Sequence, residues 1–266
     1  MDPWRGKWAL ITGASAGIGT ALARELAAGG ANLVLTARRG NRLNALANEL
    51  SVAHQIQAET WVADLARPEG PREIFAFTEG RHISVDLLVN NAGFGAYGEF
   101  HRAPLERFLN MVQVNVSAVV HLTHLYLPQM IARRRGDILI VASTAAFQAV
   151  PYITTYAATK VFDLHFAEGL AEEVRHYGVR VCGLCPGSTD TEFFQVAGQR
   201  NHTRRRPETA EKVARVGLEA LAAGKSSVIS GFGNWLGAET ERFVPRRLVT
   251  RIVGSMFRPK EDLARP

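Results

Sequence analysis

Short apolar runs alternate with longer stretches of helical periodicity along most of the chain. The apolar runs predict strands at residues 7–11, 32–37, 55–62, 85–89, 138–141, 179–184 and 227–230. Apolar residues that recur every three or four positions predict helices at residues 20–26, 41–50, 68–78, 105–133 and 154–174. This alternation indicates an α/β fold, and 266 residues suffice for a single domain.

A glycine-rich segment follows the first predicted strand and leads directly into the first predicted helix. It covers residues 12–19, and its candidate cofactor-binding positions are Gly13, Ser15, Gly17, Ile18 and Gly19. Glycine lets the backbone approach a pyrophosphate, and a helix N-terminus offers unpaired N–H groups and the positive end of its dipole. A tight structural turn is the alternative, but the order strand, glycine turn, helix favours a dinucleotide site.

The end of the second predicted strand discriminates between the two nicotinamide cofactors. NAD sites usually carry an acidic residue here for the ribose 2′-hydroxyl, whereas NADP sites supply an arginine for the 2′-phosphate. The chain has Arg38 and Arg39 and no carboxylate nearby, which favours NADP(H) over NAD(H). Asp64 and Leu65 end the third strand, where the carboxylate would accept a hydrogen bond from an adenine amino group or cap the following segment.

Tyr156 and Lys160 are one turn apart on the predicted helix 154–174, so their side chains share a face. A phenol has a pKa of about 10, and a neighbouring ammonium favours the phenolate and pulls that pKa toward neutrality. Ser143 follows strand 138–141, at the edge where open α/β sheets bind ligands. A hydroxyl there could hold a carbonyl oxygen while Tyr156 exchanges a proton with it. Asn115 lies among apolar residues of helix 105–133 and needs a buried partner.

Composition and charge bear on location and partners. With 47% hydrophobic and 21% charged residues, the composition is that of a globular protein. No apolar leader precedes the first strand, so we expect an intracellular, cytoplasmic protein. Residues 189–266 carry 14 Lys and Arg against 9 Asp and Glu, including Arg204, Arg205 and Arg206. This excess indicates a solvated loop or else contact with an acidic ligand, carrier or membrane surface; no nucleic-acid recognition element is recognisable.

Cysteine and histidine residues suggest chemistry that their positions do not support. Cys182 and Cys185 form a C-x-x-C, but residues three apart on a strand are separated by about 10 Å and face opposite sides. We therefore expect buried thiols without redox function. His121, His124 and His165 have no carboxylate or cysteine arranged to complete a metal site, so we expect no metal and assign them to packing or subunit contact.

The motifs in order resemble those of the short-chain dehydrogenase/reductase family, over about residues 7–231. The resemblance rests on the glycine segment, Asp64-Leu65, Asn90-Asn91-Ala92-Gly93, Asn115, Ser143, Tyr156 with Lys160, and Pro186-Gly187 with Thr191. It implies a Rossmann-type, doubly wound parallel sheet of seven strands in the order 3-2-1-4-5-6-7, within a single three-layer αβα domain. Residues 1–231 would form this domain, with a lid at about 189–206, and residues 232–266 an extension packed on the domain or at a subunit or membrane surface.

The same resemblance implies roles for individual residues. Tyr156 would be the general acid/base and Ser143 would hydrogen-bond the substrate oxygen. Lys160 would bind the nicotinamide ribose and lower the tyrosine pKa, while Asn115 would hold a water for proton relay. Further cofactor contacts would come from Asn90, Asn91, Ala92, Gly93, Pro186, Gly187, Thr189 and Thr191. A homodimer or homotetramer would form through the helices that carry Asn115 and Tyr156.

Substrate identity depends on the segments outside these motifs. Aromatic residues predict an apolar pocket for a small-molecule carbonyl or alcohol, of lipid-like, steroid-like or aromatic type, although each residue could equally belong to the core. They are Phe94, Phe147, Tyr152, Phe193 and Phe194, with Ser143 as the polar member. Residues 241–258 mix arginines with apolar residues at helical spacing, which fits a membrane-surface helix, a cover over the cleft or a subunit contact.

Three functions fit these patterns. The intact set of catalytic positions favours an NADP(H)-dependent alcohol dehydrogenase or carbonyl reductase. A 3-oxoacyl-[acyl-carrier-protein] reductase fits the basic C-terminal third, since carrier proteins are acidic, although the long tail is not typical of that group. A protein that binds NADP(H) as a sensor and performs no chemistry is the alternative from a different class.

Overall fold

The computed structural model describes residues 3–198 and 206–259, and within them seven strands form one parallel sheet. The strands are β1 (Trp8–Thr12), β2 (Asn32–Ala37), β3 (Ala58–Val62), β4 (Val85–Asn90), β5 (Gly136–Val141), β6 (Val179–Cys185) and β7 (Ser227–Ile229). Their spatial order is β3-β2-β1-β4-β5-β6-β7. The predicted doubly wound α/β architecture is confirmed.

Helices cover both faces of this sheet. Those on the first face are α1 (Gly17–Ala28), α2 (Gly40–His54) and α8 (Ala210–Ala222); those on the second are α3 (Gly70–Gly80), α5 (Ala118–Ala132) and α6 (Thr154–Val174). The remaining helices are α4 (Leu105–Val112), α7 (Phe193–Ala197), α9 (Phe232–Thr240) and α10 (Arg246–Phe257). Successive residues of β1 point to opposite faces of the sheet. Ile11 belongs to the core cluster on the first face and Leu10 to the cluster on the second. Burial on both faces explains why the strands read as continuous apolar runs.

Most predicted boundaries shift by a few residues, and two differences have a structural cause. Helix α2 continues to His54, and Gln55 ends it in the left-handed conformation with a φ of 55°. Strand β3 therefore begins at Ala58 rather than at residue 55. The helix predicted over residues 105–133 is interrupted by a π-helical turn, Gln113–Ser117, which separates α4 from α5 and contains Asn115. Such turns place an extra residue into a helix and are frequent at functional sites.

The chain after β7 forms α9 and α10, and α10 lies within residues 241–258, where the sequence indicates an amphipathic helix. Helix α10 begins after Pro245, and its Val253 and Phe257 pack against Ala145, Val150 and Ala157. The Tyr97 hydroxyl donates to the Phe257 carbonyl at 2.8 Å. One side of α10 therefore covers the domain next to the carboxyl edge of the sheet.

The other side of α10 exposes Leu248 and Ile252 between arginines, and Met256 is exposed near the end of the helix. In the described part of the chain, none of the helices combines the length and apolar character needed to cross a bilayer. Peripheral membrane contact through this segment, and the division of the chain at residue 231, stay predictions. Arg204 and Arg205 of the predicted basic loop lie outside the described residues.

An ionic network connects the N-terminal segment to β5 and β6 at the amino ends of these strands. Asp137 of β5 accepts hydrogen bonds from Trp4 Nε1 at 2.8 Å and from Arg180 Nε and Nη2 at 2.6 and 2.8 Å. Arg180 belongs to β6, and its Nη1 also donates to the Ala222 carbonyl at the end of α8. This network lies away from the carboxyl ends of the strands and stabilises the fold.

Candidate active site

A cavity of about 640 Å³ opens at the carboxyl edge of the sheet. Segments that follow strands β1 to β6 line it, and Met256 and Phe257 of α10 form part of its wall. Strand β1 pairs with β2 on one side and with β4 on the other, so the connections leave this point in opposite directions. This is the position where doubly wound sheets bind their ligands.

The glycine segment forms one end of the cavity. Gly13 and Gly17 have φ values of +67° and +56°, and a Cβ on Gly13 would lie 2.9 Å from the Cα of Ala92. Ala16 precedes the first turn of α1 and provides no side-chain cap, so the amides of that turn stay available to a phosphate. Ser15 and Ile18 line the same wall. The cradle therefore fits a dinucleotide pyrophosphate.

Gly19 lies behind the residues of the glycine segment that line the cavity. It does not belong to the cavity lining, and a Cβ there would collide with the carbonyl oxygen of Gly13. Gly19 therefore permits the close packing of α1 against the glycine segment, and its effect on a cofactor is indirect.

Arg38, Arg39 and Asp64 lie at the end of the cavity formed by the second and third strands. Arg39 donates from Nε to the Ser15 hydroxyl at 3.1 Å and from Nη1 to Glu192 at 2.7 Å. Glu192 also accepts from Arg42 at 2.7 Å. One oxygen of Asp64 accepts from the Ala66 amide at 3.0 Å, so the carboxylate both caps this turn and lines the cavity, with Leu65 beside it.

The segment after β4 is held close to the glycine segment by Thr12. The Thr12 hydroxyl accepts from the amides of Asn91 and Ala92 at 3.0 Å each, and Asn91 Nδ2 donates to the Thr12 carbonyl at 2.8 Å. Asn91, Ala92 and Gly93 line the cavity. Asn90 was expected to contact the cofactor, but its side chain does not line the cavity. It is buried and donates a hydrogen bond to the Thr123 hydroxyl at 3.1 Å.

Tyr156, Lys160 and Ser143 converge at the other end of the cavity. All three line it, and Lys160 Nζ lies 5.8 Å from the centre of the Tyr156 ring. The Ser143 Oγ accepts from the Ala145 amide at 3.1 Å, which fixes the side chain at the start of a short helical turn. A phenol, a hydroxyl and an ammonium at one point can bind a carbonyl oxygen and exchange a proton with it.

Lys160 also contacts a residue that the sequence analysis missed. Its Nζ donates to the Val141 carbonyl at 2.6 Å and to Asp163 Oδ2 at 3.0 Å, and both side chains of this ion pair are almost fully buried. Asp163 lies three residues after Lys160 on α6, a spacing that brings side chains together on a helix. That spacing was the available signal, but the sequence alone does not show that both side chains are buried.

Burial and charge act in opposite directions on these groups. Burial raises the pKa of Tyr156, and the Lys160 ammonium and the Ser143 hydrogen bond lower it without cancelling that effect. Lys160 thus acts in the predicted direction, but the pKa of Tyr156 is raised and not lowered overall, because desolvation outweighs the lysine. Burial disfavours the charged form of Lys160, but the charge and hydrogen bond of Asp163, together with Tyr156 and Cys185, outweigh this and raise the lysine pKa.

Asn115 is fully buried in the π-helical turn behind this group. It accepts from the Phe94 amide and donates to the Phe94 carbonyl, both at 3.1 Å, and also donates to the Thr159 hydroxyl at 3.0 Å. A Cβ on Gly93 would lie 3.2 Å from Asn115 Oδ1 and 3.6 Å from Lys160 Nζ. Because Gly93 has no side chain, nothing separates the Asn115 amide from the Lys160 ammonium at this position.

The segment after β6 closes over the cavity. Pro186, Gly187, Thr189 and Thr191 all line it, and the Thr191 side chain packs so closely on Gly17 that a Cβ there would lie 2.9 Å away. Glu192 then reaches Arg39 across the crevice. This segment leads into α7, where a helix was expected after Thr191. Its role as a lid stays a prediction, and residues 199–205 of the predicted lid lie outside the described residues.

Three of the five predicted aromatic pocket residues lie where expected. Phe94, Phe193 and Phe194 line the cavity, and the Phe193 ring lies 5.0 Å from that of Tyr156. Phe147 packs instead into a core cluster with Leu164 and Cys185. Tyr152 has a φ of +68° and faces a separate small cavity. Apolar residues that the sequence analysis missed complete the wall: Val114, Val150, Ile153, Val196, Met256 and Phe257.

The two cysteines are buried and unpaired on β6, as predicted. Burial raises the pKa of each thiol to about 12, so neither is a thiolate at neutral pH. Within residues 3–198 and 206–259, no three His, Cys, Asp or Glu side chains are grouped to hold a metal ion.

Comparison with known proteins identifies a family. The family described as short chain dehydrogenase matches residues 7–202. A very-long-chain 3-oxoacyl-CoA reductase from Danio rerio is 33% identical over 200 residues, which is 74% of this chain. The chain spans only 62% of the length of that relative.

Two solved structures share the fold. A short-chain dehydrogenase from Sphingobium yanoikuyae in complex with NADPH superposes with a TM-score of 0.81 at 28% identity, over 89% of this chain and 94% of the other. A 7β-hydroxysteroid dehydrogenase superposes with a TM-score of 0.84 at 27% identity, over 94% and 97% of the two chains. Both are similar to this chain over nearly their whole length.

Proposed function

The chain belongs to the short-chain dehydrogenase family of oxidoreductases, and on that premise we propose that it interconverts a ketone and a secondary alcohol with NADP(H). The observation that carries the proposal is the convergence of Tyr156, Ser143 and Lys160 at one end of a cavity whose other end suits a dinucleotide. The substrate is a small apolar carbonyl or alcohol compound, because the wall beside Tyr156 is built from phenylalanine and aliphatic side chains.

The chain's own residues bind the carbonyl and manage a proton. Ser143 donates a hydrogen bond to the carbonyl oxygen and orients it toward Tyr156. In reduction the Tyr156 phenol gives its proton to that oxygen, and in oxidation the phenolate takes the proton back. The bound nicotinamide supplies or accepts the hydride. Lys160 stabilises the phenolate and retains one N–H for a ligand hydroxyl, since Val141 and Asp163 accept its other hydrogen bonds.

Asn115 positions the lysine end of this group. Its side-chain amide is fixed by Phe94 and Thr159, and its Oδ1 lies on the same side of Gly93 as the ammonium. We assign it the role of holding a water that connects Lys160 to solvent.

NADP(H) rather than NAD(H) is the proposed cofactor. Arg38 and Arg39 are exposed at the adenosine end of the cavity and would pair with a 2′-phosphate, whereas no carboxylate follows β2 to bind a free ribose hydroxyl. The NADPH complex of the Sphingobium relative supports this choice. Asp64 would bind the adenine, and Thr189 and Thr191 the nicotinamide end.

Reduction of a 3-oxoacyl thioester is the second candidate. The name of the Danio rerio relative favours it, and an acyl chain would suit the apolar wall formed with α10. The basic C-terminal third would favour an acidic coenzyme A or carrier protein as the thioester portion. A homodimer or homotetramer is proposed from the family alone; light scattering of the purified protein would measure its mass.

The test is a paired measurement of cofactor binding and turnover. NADPH and NADH are titrated into the protein, and each is then supplied with apolar ketones, steroid ketones and 3-oxoacyl-CoA esters of increasing chain length. The proposal predicts tighter binding of NADPH and turnover of at least one substrate class. A preference for NADH would contradict the role of Arg38 and Arg39. NADPH binding without turnover of any substrate would favour the alternative that the protein binds NADP(H) as a sensor and performs no chemistry.

A further inference from the structure

Asp163 is an ionisable group next to the reactive centre that the proposed mechanism does not use. Its side chain is 1% exposed, and its Oδ2 accepts from Lys160 Nζ at 3.0 Å. Its other oxygen, Oδ1, is buried and has no hydrogen-bond partner among the described residues. Burying a carboxylate costs free energy unless it is paired and fully hydrogen-bonded. Packing alone would be served better by an apolar side chain at this position.

The position of Lys160 shows what the carboxylate does. An ammonium has three N–H donors, and two are directed to the Val141 carbonyl on β5 and to Asp163. Only one remains for a ligand hydroxyl or for Tyr156. Asp163 therefore draws the ammonium toward the sheet and, as a negative charge beside it, offsets the field that the lysine exerts on the phenol.

We propose that Asp163 is a positioning residue that holds Lys160 and offsets its charge, which adds to the effect of burial in keeping Tyr156 a protonated phenol, so that the site favours carbonyl reduction at neutral pH. This inference rests on the proposed function. A neutral phenol is the form that gives a proton to a carbonyl oxygen, whereas alcohol oxidation needs the phenolate. With Asp163 present, oxidation sets in only at more alkaline pH.

Burial is the largest cause that raises the pKa of Tyr156, and the groups around the phenol add to it or oppose it. Those that act on it are Lys160 and Asp163 on α6, the Ser143 hydroxyl after β5 and Cys185 on β6. Burial raises the pKa of Cys185 to about 12, so the thiol is neutral. Lys160 and Ser143 lower the pKa of Tyr156, whereas Asp163 raises it. Burial also raises the pKa of Asp163, and the charge and hydrogen bond of Lys160 oppose this effect. Among these neighbours, the Asp163 carboxylate is thus the group whose charge opposes that of the lysine.

The experiment compares Asp163→Asn with a control on the same helix. Asparagine keeps the shape and an oxygen for Lys160 but removes the charge. Glu172→Gln removes the same charge from an exposed position of α6, where the side chain is 77% exposed. The readouts are the pH profiles of kcat/KM for ketone reduction and alcohol oxidation.

For Asp163→Asn, we expect the alkaline midpoint of reduction and the acid midpoint of oxidation to move down together by about one pH unit, which is the lower end of the effect of a neighbouring charge. Glu172→Gln should leave both midpoints in place. Profiles for Asp163→Asn that match the wild type would overturn the proposal.

A second measurement does not depend on turnover. Tyr156 titration in the protein without added cofactor is followed as tyrosinate absorbance at about 295 nm, taken as the difference between each protein and its Tyr156→Phe counterpart. The midpoint should lie lower in Asp163→Asn than in the wild type, and an unchanged midpoint would overturn the proposal. If Asp163→Asn does not fold, Asp163→Ala takes its place. Should the wild type turn over no substrate, the proposed function fails, while this titration still decides the role of Asp163.

Discussion

Replacing Glu192 by glutamine should tighten NADPH binding and leave NADH binding nearly unchanged. The Glu192 carboxylate lies 2.7 Å from Nη1 of Arg39 and 2.7 Å from Nη1 of Arg42. It thus occupies guanidinium groups at the end of the cavity where the 2′-phosphate of NADPH is proposed to bind. A carboxylate and a phosphate compete for the same donors. Glutamine has nearly the same shape but no charge, so it competes weakly.

The magnitude follows from exposure. The three side chains are 41–52% exposed, so each ion pair contributes about 0.2–1 kcal/mol in water. Removing both pairs relieves a competition of about 0.4–2 kcal/mol, which corresponds to about two- to thirtyfold tighter binding of NADPH. The hydrogen bonds from Arg39 and Arg42 lower the pKa of Glu192 to about 2, so the carboxylate competes throughout the pH range of an ordinary assay.

Calorimetric titration of NADPH and NADH into the wild type, Glu192→Gln and the exposed control Glu172→Gln measures this effect. The gain for NADPH should shrink at high salt, since screening weakens exposed ion pairs. Equal changes for both cofactors, or weaker NADPH binding by Glu192→Gln, would refute the reasoning. Glu192 would then hold the closing segment in place rather than compete with a phosphate.

Three further predictions follow from the structure. Asp137→Ala should lower the free energy of unfolding by about 3 kcal/mol, because it removes the acceptor that the Arg180 guanidinium and the Trp4 indole share. Urea unfolding, with Glu172→Gln as the control, measures this loss, and a value below about 1 kcal/mol would contradict the prediction. Both cysteines should resist a thiol reagent at pH 8 in the folded protein and react only on unfolding, since burial raises each pKa to about 12; rapid labelling of native protein would contradict this. Phe257→Ala should raise KM for apolar ketones about five- to tenfold, because apolar contact with the substrate is lost, and should leave the Kd of NADPH unchanged. An equal rise in the Kd of NADPH would show that Phe257 does not act on the substrate alone.

The strands and their order were predictable because buried parallel strands produce unbroken apolar runs. The placement of Tyr156, Lys160 and Ser143 at one end of the cavity followed from helical spacing and from the position of Ser143 after a strand. These are local features of sequence, and local geometry sufficed to bring the three residues together.

The errors concern properties that depend on the rest of the fold. The side-chain directions of Phe147 and Tyr152 could not be derived, because a loop has no periodicity to orient them. Gln55 adopts a left-handed conformation that its residue type does not announce. The sign of the Tyr156 pKa shift was missed because it depends on burial and on Asp163, and the sequence reveals neither.

The most direct test of the account is single-turnover NADPH oxidation by wild-type protein and Tyr156→Phe, with a ketone that the wild type reduces. Phenylalanine keeps the ring beside Phe193 and removes only the hydroxyl that gives the proton. We predict unchanged NADPH binding and a rate lower by about two to four orders of magnitude. Tyr156→Phe that binds NADPH and reduces the ketone at the wild-type rate would contradict the assignment of Tyr156 as the proton donor.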